Sequence, residues 1–525
     1  MGAADGSAWV VDARDTALAR QVAEALAEHP KIAAHNAQFD VSAVQVCLGV
    51  WLGDTTDTLA LSRNCWPGRT GHGLKDLRPA TAEALEALRD RWAEEIGREP
   101  RGKTWLAEAV EKLPWDDPDL LKYSAVDAVE CVRLVDEILD GLTSDEIENC
   151  NRDIALERAW WSRTHSGYKV DAGVLDEIEA EQAQLRAKME ARHGLDLAKN
   201  TTEVREWVAN LGVTGLDTTP SGEISLGKDS LRRAEVLPQA ATAWADFLAV
   251  RTAMSTANTV TSLRGSLDAQ GRVHPHLAIN GAPATGRMAS TGPNLQNVPD
   301  QVKHTFMAEP GHVFVGLDLD RIEPCVLAAV SGDPALLEAT KSGDVYLNLA
   351  QTIWPDRGIT GESPERKTAK TALLASIYGQ GARSLGANLG ITAAEARQVL
   401  RDLERAYPVM AAWKRDLQTR AEAGETLFSP VGRRLPDTSD APYRAVNYVI
   451  QGTAAAIFKV GTQRVMETLG EHVLYLPIHD EIIIEVPADQ AEHAREALEE
   501  AMTGEIFGVT VRGTAKVLGD RLAHA

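Results

Sequence analysis

Two short acidic segments, far apart in the chain, contain the residue types that bind divalent cations. In the first, the apolar run 313–317 is followed by Asp318, and in the second, apolar runs flank His479, Asp480 and Glu481. Magnesium is commonly held by one or two carboxylates together with substrate phosphates. Two such aspartates brought together could bind two cations roughly 4 Å apart, which stabilises the attacking and leaving oxygens of a phosphoryl transfer.

A third segment could supply the positive charge that a phosphate-rich substrate requires. Arg366, Lys370, Leu374 and Tyr378 follow one another at intervals of four residues. On a helix this spacing places all four on one slowly drifting face. Cations suit a triphosphate, and an apolar or aromatic surface suits a sugar and base. Taken singly, each segment could also be ordinary: an acidic turn after a strand, or a solvated cationic helix face.

The surrounding pattern predicts rigid supports for these residues. Residues 313–320 indicate a buried strand, residues 473–486 a hairpin with the His-Asp-Glu group at its tip, and residues 364–378 a helix. Such elements hold side chains more firmly than loops do. The three segments therefore favour a preformed site.

The rest of the chain divides into regions of different pattern. Residues 8–11 and 31–35 read as strands around a helix that Asp15 would cap, which predicts an α/β region over the first 145 residues or so. Residues 145–270 are polar with a helical period and predict an elongated helical arm. A stretch rich in Gly, Pro, Asn and Ser follows at 281–300.

The three segments, together with two others, resemble the A-family DNA polymerases, the group of bacterial DNA polymerase I and many phage replicases. Asp318 and Glu323 are similar to the family's motif A, Arg366 through Tyr378 to its motif B, and His479-Asp480-Glu481 to its motif C. Residues 285–299 and 447–455 are similar to its T-G-R-x-S-S-x-x-P-N-L-Q-N-x-P and N-x-x-x-Q-G-T-A-A segments. Five motifs in the family's order are hard to attribute to chance.

The resemblance implies a role for each matched residue. Asp318 and Asp480 would hold two Mg²⁺ ions, for which Mn²⁺ is an expected substitute, and Glu481 would support them as a third catalytic residue. Arg366 and Lys370 would bind the triphosphate, Leu374 and Tyr378 would line the nucleotide pocket, Glu323 would exclude a ribose 2′-hydroxyl, His479 would lie by the primer terminus, and Arg287, Gln296, Asn447 and Gln451 would contact the DNA. Leu374 stands where the family usually has an aromatic residue that stacks on the incoming sugar, which puts sugar discrimination in question.

The amino-terminal region resembles the family's 3′-to-5′ proofreading exonuclease, with one motif missing. Residues 35–40, which end in Asp40, are similar to its second motif, and Tyr123 with Asp127 to its third. No D-x-E of the first motif occurs in residues 1–34. A two-metal site would then lack ligands, so we expect proofreading to be absent or feeble. Either the true chain starts further upstream, or the region is now a scaffold.

The resemblance implies an α/β multidomain protein, with a ribonuclease H-like exonuclease domain followed by a right-hand polymerase. The expected boundaries are 1–145 for the exonuclease-like domain, 146–280 for the thumb, 281–343 for the first part of the palm, 344–440 for the fingers and 441–525 for the second part of the palm. The implied activity is template-directed DNA synthesis in replication or repair.

The composition fits such a protein only if its positive charge is concentrated locally. The 525 residues carry a formal net charge of -22, with 44% hydrophobic and 25% charged residues, so binding to a polyanion requires a basic cleft. Five cysteines without a C-x-x-C pair indicate no disulfide framework. We expect a cytoplasmic enzyme that binds primed DNA, deoxynucleoside triphosphates and replication accessory proteins but no membrane. We also expect a GC-rich genome of origin, that of a phage or prophage.

Two other functions stay open at this point. A DNA-binding protein that no longer polymerises is suggested by Leu374 and by the incomplete nuclease, although the intact aspartates and cations argue against it. A nuclease that uses only the amino-terminal region is the second alternative, and the missing D-x-E argues against that one.

Overall fold

The structure is a computed structural model that describes residues 1–102, 104–341 and 343–523, apart from the side chains of Asp229 and Arg232. Helices make up most of it, and the strands form one four-stranded sheet and several two-stranded ones. None of the helices within the described ranges is long and apolar enough to cross a membrane.

The amino-terminal region packs helices around one short parallel pair of strands. Its elements are α1 (Thr16–Ala27), β1 (Ile32–Ala34), α2 (Ala37–Leu48), β2 (Thr55–Asp57), α3 (Thr58–Cys65), α4 (Leu74–Leu77), α5 (Pro79–Ile96), α6 (Trp105–Lys112) and α7 (Pro118–Asp140). Strands β1 and β2 pair in parallel. Helix α1 begins after Asp15, whose carboxylate accepts a hydrogen bond from the Leu18 N–H at 3.1 Å, so the predicted cap is confirmed.

The predicted opening strand at residues 8–11 is wrong. Its contribution to strand pairing is an isolated bridge between Gly2 and Ala8, and Trp9 and Val10 are 60% and 40% exposed. An apolar run is stable as a strand only where neighbours pair with it and one face is buried. In the described part of this region, the predicted α/β character therefore rests on β1 and β2 alone.

A long helix leads from the amino-terminal region into the helical arm. The elements here are α8 (Ser144–Ser166), β3 (Tyr168–Lys169), α9 (Ala172–His193), α10 (Thr202–Asn210), α11 (Lys228–Arg232), a 3₁₀ turn (Pro238–Ala240), α12 (Ala241–Gly265) and β4 (Arg272–Val273). Thr143 and Glu146 form a capping box at the start of α8. Helices α9 to α12 enclose a core of their own around Trp244 and Phe247. The helical period predicted for residues 145–270 is confirmed.

A hairpin and the first strand of the main sheet follow. The elements are β5 (His276–Ala282), β6 (Arg287–Thr291), a 3₁₀ turn (Leu295–Asn297), α13 (Asp300–Lys303), β7 (His312–Leu319), α14 (Ile322–Ser331) and α15 (Pro334–Lys341). The β5–β6 hairpin reaches into the Gly- and Pro-rich stretch, which local composition describes only as turns.

In the sequence, a group of helices separates β7 from the other strands of the main sheet. They are α16 (Val345–Ile353), a 3₁₀ turn (Pro355–Arg357), α17 (Pro364–Ile377), α18 (Ala382–Leu389), α19 (Ala393–Ala406) and α20 (Pro408–Glu422). Helix α17 is the predicted cationic helix, and it starts with Pro364 at its first position, where a missing N–H costs nothing.

The carboxyl-terminal part completes the main sheet. Its elements are α21 (Tyr443–Leu469), a 3₁₀ turn (Glu471–Val473), β8 (Leu474–Ile478), β9 (Glu481–Pro487), a 3₁₀ turn (Ala488–Gln490), α22 (Ala491–Met502), β10 (Gly504–Ile506), β11 (Val509–Val511) and β12 (Gly513–Gly519). The four-stranded sheet has the order β12-β7-β9-β8, and every neighbouring pair is antiparallel. The strand and the hairpin predicted around the acidic segments are both confirmed, and the sheet places them side by side.

Candidate active site

The two acidic segments meet at one end of the main sheet. Strand β7 pairs with β9 in a register that sets Asp318 opposite Glu481. The backbone N–H of Leu319 also donates to the carbonyl oxygen of Asp480 at 3.1 Å. Directly opposite residues in such a pair lie roughly 5 Å apart. The fold therefore brings Asp318 and Asp480 to adjacent backbone positions, although 161 intervening residues separate them in the sequence.

Buried strands hold this end of the sheet in place. Leu317, Ile482 and Ile483 are fully buried, so neither strand can shift its register without exposing its apolar face. The turn between β8 and β9 is tight, and His479 adopts a left-handed backbone with φ 58°. The tip carrying His479 and Asp480 is therefore fixed by its neighbours.

The three carboxylates of the site differ in their exposure. Asp318 is exposed and Asp480 is half-buried. Glu481 is 5% exposed, and its Oε2 atom lies 3.8 Å from the Nζ atom of Lys303. The two aspartates thus face solvent at least in part, whereas the glutamate is enclosed beside a lysine.

The cationic helix α17 presents the predicted face. Arg366 is half-buried, and its Nε atom donates to Asp344 Oδ2 at 2.6 Å. The Tyr346 ring centroid lies 6.0 Å from the Arg366 guanidinium carbon and 5.1 Å from Lys370 Nζ. An aromatic ring attracts nearby cations through its negative face. Tyr346 therefore holds both cations on the same side of the helix.

Asp344 and Tyr346 were not found by sequence reasoning. Asp344 also caps α16, accepting the N–H groups of Tyr346 and Leu347 at 3.1 and 3.0 Å. Burial raises the pKa of Tyr346 to about 12, with a smaller contribution from Glu323. The available signal was an aspartate before a helical run, which predicts a cap and not a partner for Arg366.

Glu323 is the centre of a hydrogen-bond chain that joins four separate segments. Its Oε1 atom accepts from Arg287 Nη2 and from the Tyr378 hydroxyl, both at 2.9 Å. Gln451 Nε2 in turn donates to the Tyr378 oxygen at 2.9 Å. Burial and the adjacent Glu323 carboxylate raise the pKa of Tyr378. Four residues predicted from different motifs thus form one connected group.

The remaining predicted residues are placed less uniformly. Leu374 is half-buried and packs against the main core. Asn447 is half-buried, and within the described chain its Oδ1 atom is buried without a hydrogen-bond partner. Gln296 is 8% exposed and donates from Nε2 to the Pro477 carbonyl at 3.0 Å. Its amide thus faces the strand before His479, and its contact with DNA stays a prediction.

The amino-terminal carboxylates also come together. Partial removal from water and the nearby carboxylates of Asp57 and Asp127 raise the pKa of Asp40 to about 6. Burial raises the pKa of Asp127 as well, and burial with Asp127 raises that of Tyr123 to about 12. Within the described residues, no group of three or more His, Cys, Asp or Glu side chains is arranged to hold a metal ion.

Asp57 was missed by sequence reasoning. It is 2% exposed and accepts backbone hydrogen bonds from Asn36, Ala37 and Leu59 at 3.0, 3.1 and 2.8 Å. Burial raises its pKa despite these bonds. Asp57 therefore fixes the start of α2, the helix that carries Asp40.

The chain is similar to known DNA polymerases. Residues 172–517 match the model of DNA polymerase family A. Over 555 aligned residues the chain is 28% identical to the DNA polymerase of Mycobacterium phage D29, covering 98% of this chain and 87% of that protein. It is 29% identical to DNA polymerase I of Chloroflexus aurantiacus, covering 91% of this chain but only 52% of that longer protein.

A solved structure shares the fold. The polymerase domain of Pol1 from M. smegmatis, in complex with DNA primer-template and dNTP, superposes with a TM-score of 0.74 at 22% identity, covering 95% of this chain and 88% of that one. The chain belongs to DNA polymerase family A. It is a DNA-directed DNA polymerase.

Proposed function

We propose that this polymerase extends the 3′ end of a primer on a DNA template by phosphoryl transfer assisted by two divalent cations. The observation that carries the proposal is the adjacency of Asp318 and Asp480 at one end of the main sheet. The M. smegmatis structure, which contains primer-template and dNTP, supports these ligands for the present chain.

The residues at the sheet end fit a pair of magnesium ions. Asp318 and Asp480 are accessible carboxylates on rigid supports, and Mg²⁺ needs only one or two such ligands when substrate phosphates supply others. When bound, the ions lower the pKa of the primer hydroxyl and neutralise charge on the departing pyrophosphate. Glu481 lies opposite Asp318 and next to Asp480, and it would shape the local charge together with Lys303.

The cationic helix is proposed to hold the incoming nucleotide. Arg366 and Lys370 would pair with the phosphates, since guanidinium and ammonium groups form charge-assisted hydrogen bonds with phosphate oxygens. The Tyr378–Glu323 hydrogen bond joins the carboxyl-terminal end of α17 to the segment that follows Asp318. The bound triphosphate and the cation-binding aspartates would therefore be held in a fixed position relative to each other.

Glu323 is proposed to select the sugar. Its carboxylate is anchored by Arg287 and Tyr378, so it cannot turn away easily from a 2′-hydroxyl that crowds it. Leu374, which has no aromatic ring, would leave the sugar less tightly stacked. We infer discrimination against ribonucleotides that depends chiefly on Glu323.

DNA contacts are proposed for Arg287 and Gln451, which belong to the same hydrogen-bond chain, and for Asn447. Asn447 and Gln451 lie four residues apart on α21 and share a face. The amide donors of Asn447 and Gln451 and the guanidinium donors of Arg287 would meet minor-groove base edges, whose acceptors look alike for A·T and T·A pairs. His479 would lie near the primer terminus. Such contacts sense base-pair shape without reading sequence.

The architecture is proposed to follow the family. Residues 146–280 would form the thumb, 344–440 the fingers, and 281–343 with 441–525 the palm. Residues 1–145 would form an exonuclease-like domain, and its proofreading is proposed to be absent or weak because residues 1–34 contain no D-x-E to complete a two-metal site with Asp40 and Asp127. The phage relatives support a phage or prophage origin.

Primer extension tests the proposal. The wild-type protein with Mg²⁺, a primed template and four dNTPs should lengthen the primer. When one dNTP is omitted, extension should stop just before the first template base that pairs with the omitted nucleotide. A mismatched 3′ end should persist in the absence of dNTPs. Extension independent of template sequence, or none at all, would refute the assignment, and rapid removal of the mismatched end would refute the weak proofreading.

A further inference from the structure

The β5–β6 hairpin carries Arg287, and buried polar side chains from other elements hold the hairpin in place. Some of these come from the amino-terminal region, which the polymerase chemistry does not use. Three contacts hold the hairpin at its start, its middle and its turn. Each uses groups that would be costly to bury without partners.

Gln38 holds the start of the hairpin. Its side chain is 9% exposed, and Nε2 donates to the Pro275 carbonyl at 3.1 Å and to Thr164 Oγ1 at 3.0 Å. Its Oε1 atom accepts the Leu277 N–H at 3.3 Å. The amide thus pairs with backbone groups on both sides of His276, the first residue of β5, as a neighbouring strand would.

The middle of the hairpin is tied to two other helices. Asn280 is fully buried in β5, and its amide donates to Asp153 Oδ2 at 2.9 Å while its oxygen accepts from Lys459 Nζ at 2.7 Å. Lys459 also pairs with Asp153 at 2.9 Å. Burial lowers the pKa of Lys459 to about 8. Lys459 belongs to α21, the helix that carries Asn447 and Gln451.

Asn64 extends this network to the turn. It donates to Asp153 Oδ2 at 3.0 Å and accepts from Arg433 Nη1. Arg433 donates to the Pro283 carbonyl, at the turn, at 2.6 Å. A Cβ atom on Gly286 would lie 2.8 Å from the Arg433 guanidinium, so the turn packs directly on that group. Asn64 is the contribution of the amino-terminal region here.

We infer that the exonuclease-like region serves the polymerase reaction as a positioning element: Gln38 and Asn64 hold the β5–β6 hairpin, and through it Arg287, against the primer-template. The inference rests on the proposed DNA contact of Arg287. Apolar packing supports it, since Ala60 of α3 lies in one cluster with Leu156 and Ile279. Gln38 is two residues from Asp40 in α2. One segment therefore contains both the exposed aspartate of the nuclease-like motif and the buried glutamine that contacts the hairpin.

The test uses the full-length enzyme with Gln38→Met, which keeps the length of the side chain but removes its hydrogen bonds. We expect the KM for primer-template to rise roughly fivefold, with kcat and the KM for dNTP within about twofold of wild type. Amide exchange at Leu277 should accelerate roughly tenfold. Gln38→Glu keeps an acceptor for Leu277 but has no donor for Pro275 or Thr164 and sets a buried carboxylate against the Pro275 carbonyl, so its effect should be at least as large. The matched control is Gln45→Met, at a half-buried position on the same helix.

The outcomes separate the inference from the proposed function. A lower melting temperature with unchanged primer-template KM and unchanged Leu277 exchange would make Gln38 an ordinary stabilising residue and overturn the inference. Faster Leu277 exchange without a change in KM would also overturn it, because the hairpin would then move without consequence. A wild-type enzyme unable to extend primers would refute the proposed function, whereas the exchange measurement would still judge the hairpin contact.

Discussion

The Tyr378 hydroxyl donates a hydrogen bond to Glu323 at 2.9 Å, joining the end of the cationic helix α17 to the segment that follows Asp318. Arg287 binds the same carboxylate oxygen from the β5–β6 hairpin. The cationic helix α17, the segment that follows the acidic strand β7 and the β5–β6 hairpin thus share one carboxylate. A change at Glu323 should therefore alter how these three elements are held together.

Removal of this carboxylate should relax sugar selection. For Glu323→Ala we expect the preference for dNTP over the matching rNTP to fall by roughly 100-fold, because the group crowding the 2′-hydroxyl is gone. Tyr378→Phe, which leaves Glu323 in place with one hydrogen bond fewer, should lose roughly tenfold. The measurement is kcat/KM for each nucleotide, with deoxynucleotide incorporation as the internal control. Unchanged preference in Glu323→Ala would contradict the proposed gate.

Asp344 should compete with the triphosphate for Arg366. Asparagine also caps helices well, so Asp344→Asn keeps the cap of α16 while removing the charge that pairs with Arg366. We expect the KM for dNTP to fall by roughly two- to fivefold, because an ion pair that is partly open to water is weak. Arg366→Ala should raise that KM. Asp356→Asn, an exposed acid of the same segment, is the control, and an increase in KM for Asp344→Asn would count against the competition.

The amino-terminal carboxylates predict a pH-dependent stability. The folded-state pKa of Asp40 is about 6, above its ordinary value of 3.8. Between these two pH values the folded protein binds more protons than the unfolded protein does, so it loses stability as the pH rises from the lower value to the higher. Asp40→Asn should therefore raise the melting temperature at pH 7.5, with a smaller gain at pH 4.5. Asp90→Asn on the exposed side of α5 is the control. A gain that is equal at both pH values would show that crowding of carboxylates is not its cause.

Much of the site could be predicted because its supports are local. The apolar runs beside Asp318 and Asp480 specify strands, and the four-residue spacing of Arg366 and Lys370 specifies a helix face. The pairing of the two strands is a property of the whole sheet, and only the family resemblance suggested it in advance. The prediction of a strand at residues 8–11 was wrong for the same reason, because a local pattern does not show whether a partner strand exists.

Contacts between distant side chains could not be read from the sequence. The bonds of Glu323 to Arg287 and Tyr378 depend on how α14, α17 and β6 pack together. The inward turn of Gln296 towards Pro477 depends on the position of β8. Gln38 is another example, because a glutamine in a nuclease-like motif gives no sign that it binds a hairpin more than 230 residues away. Polar residues reveal their partners only in the folded chain.

The most direct test of the account is single-nucleotide extension by Asp318→Asn and Asp480→Asn, compared with Asp320→Asn. Asp320 is an exposed acid two residues beyond Asp318, so it controls for charge near the sheet end. Each of the first two variants should lose on the order of 10³-fold or more in extension rate while binding primed duplex as wild type does, and Asp320→Asn should remain active. Near-normal extension by either Asp318→Asn or Asp480→Asn would contradict the proposed two-cation site.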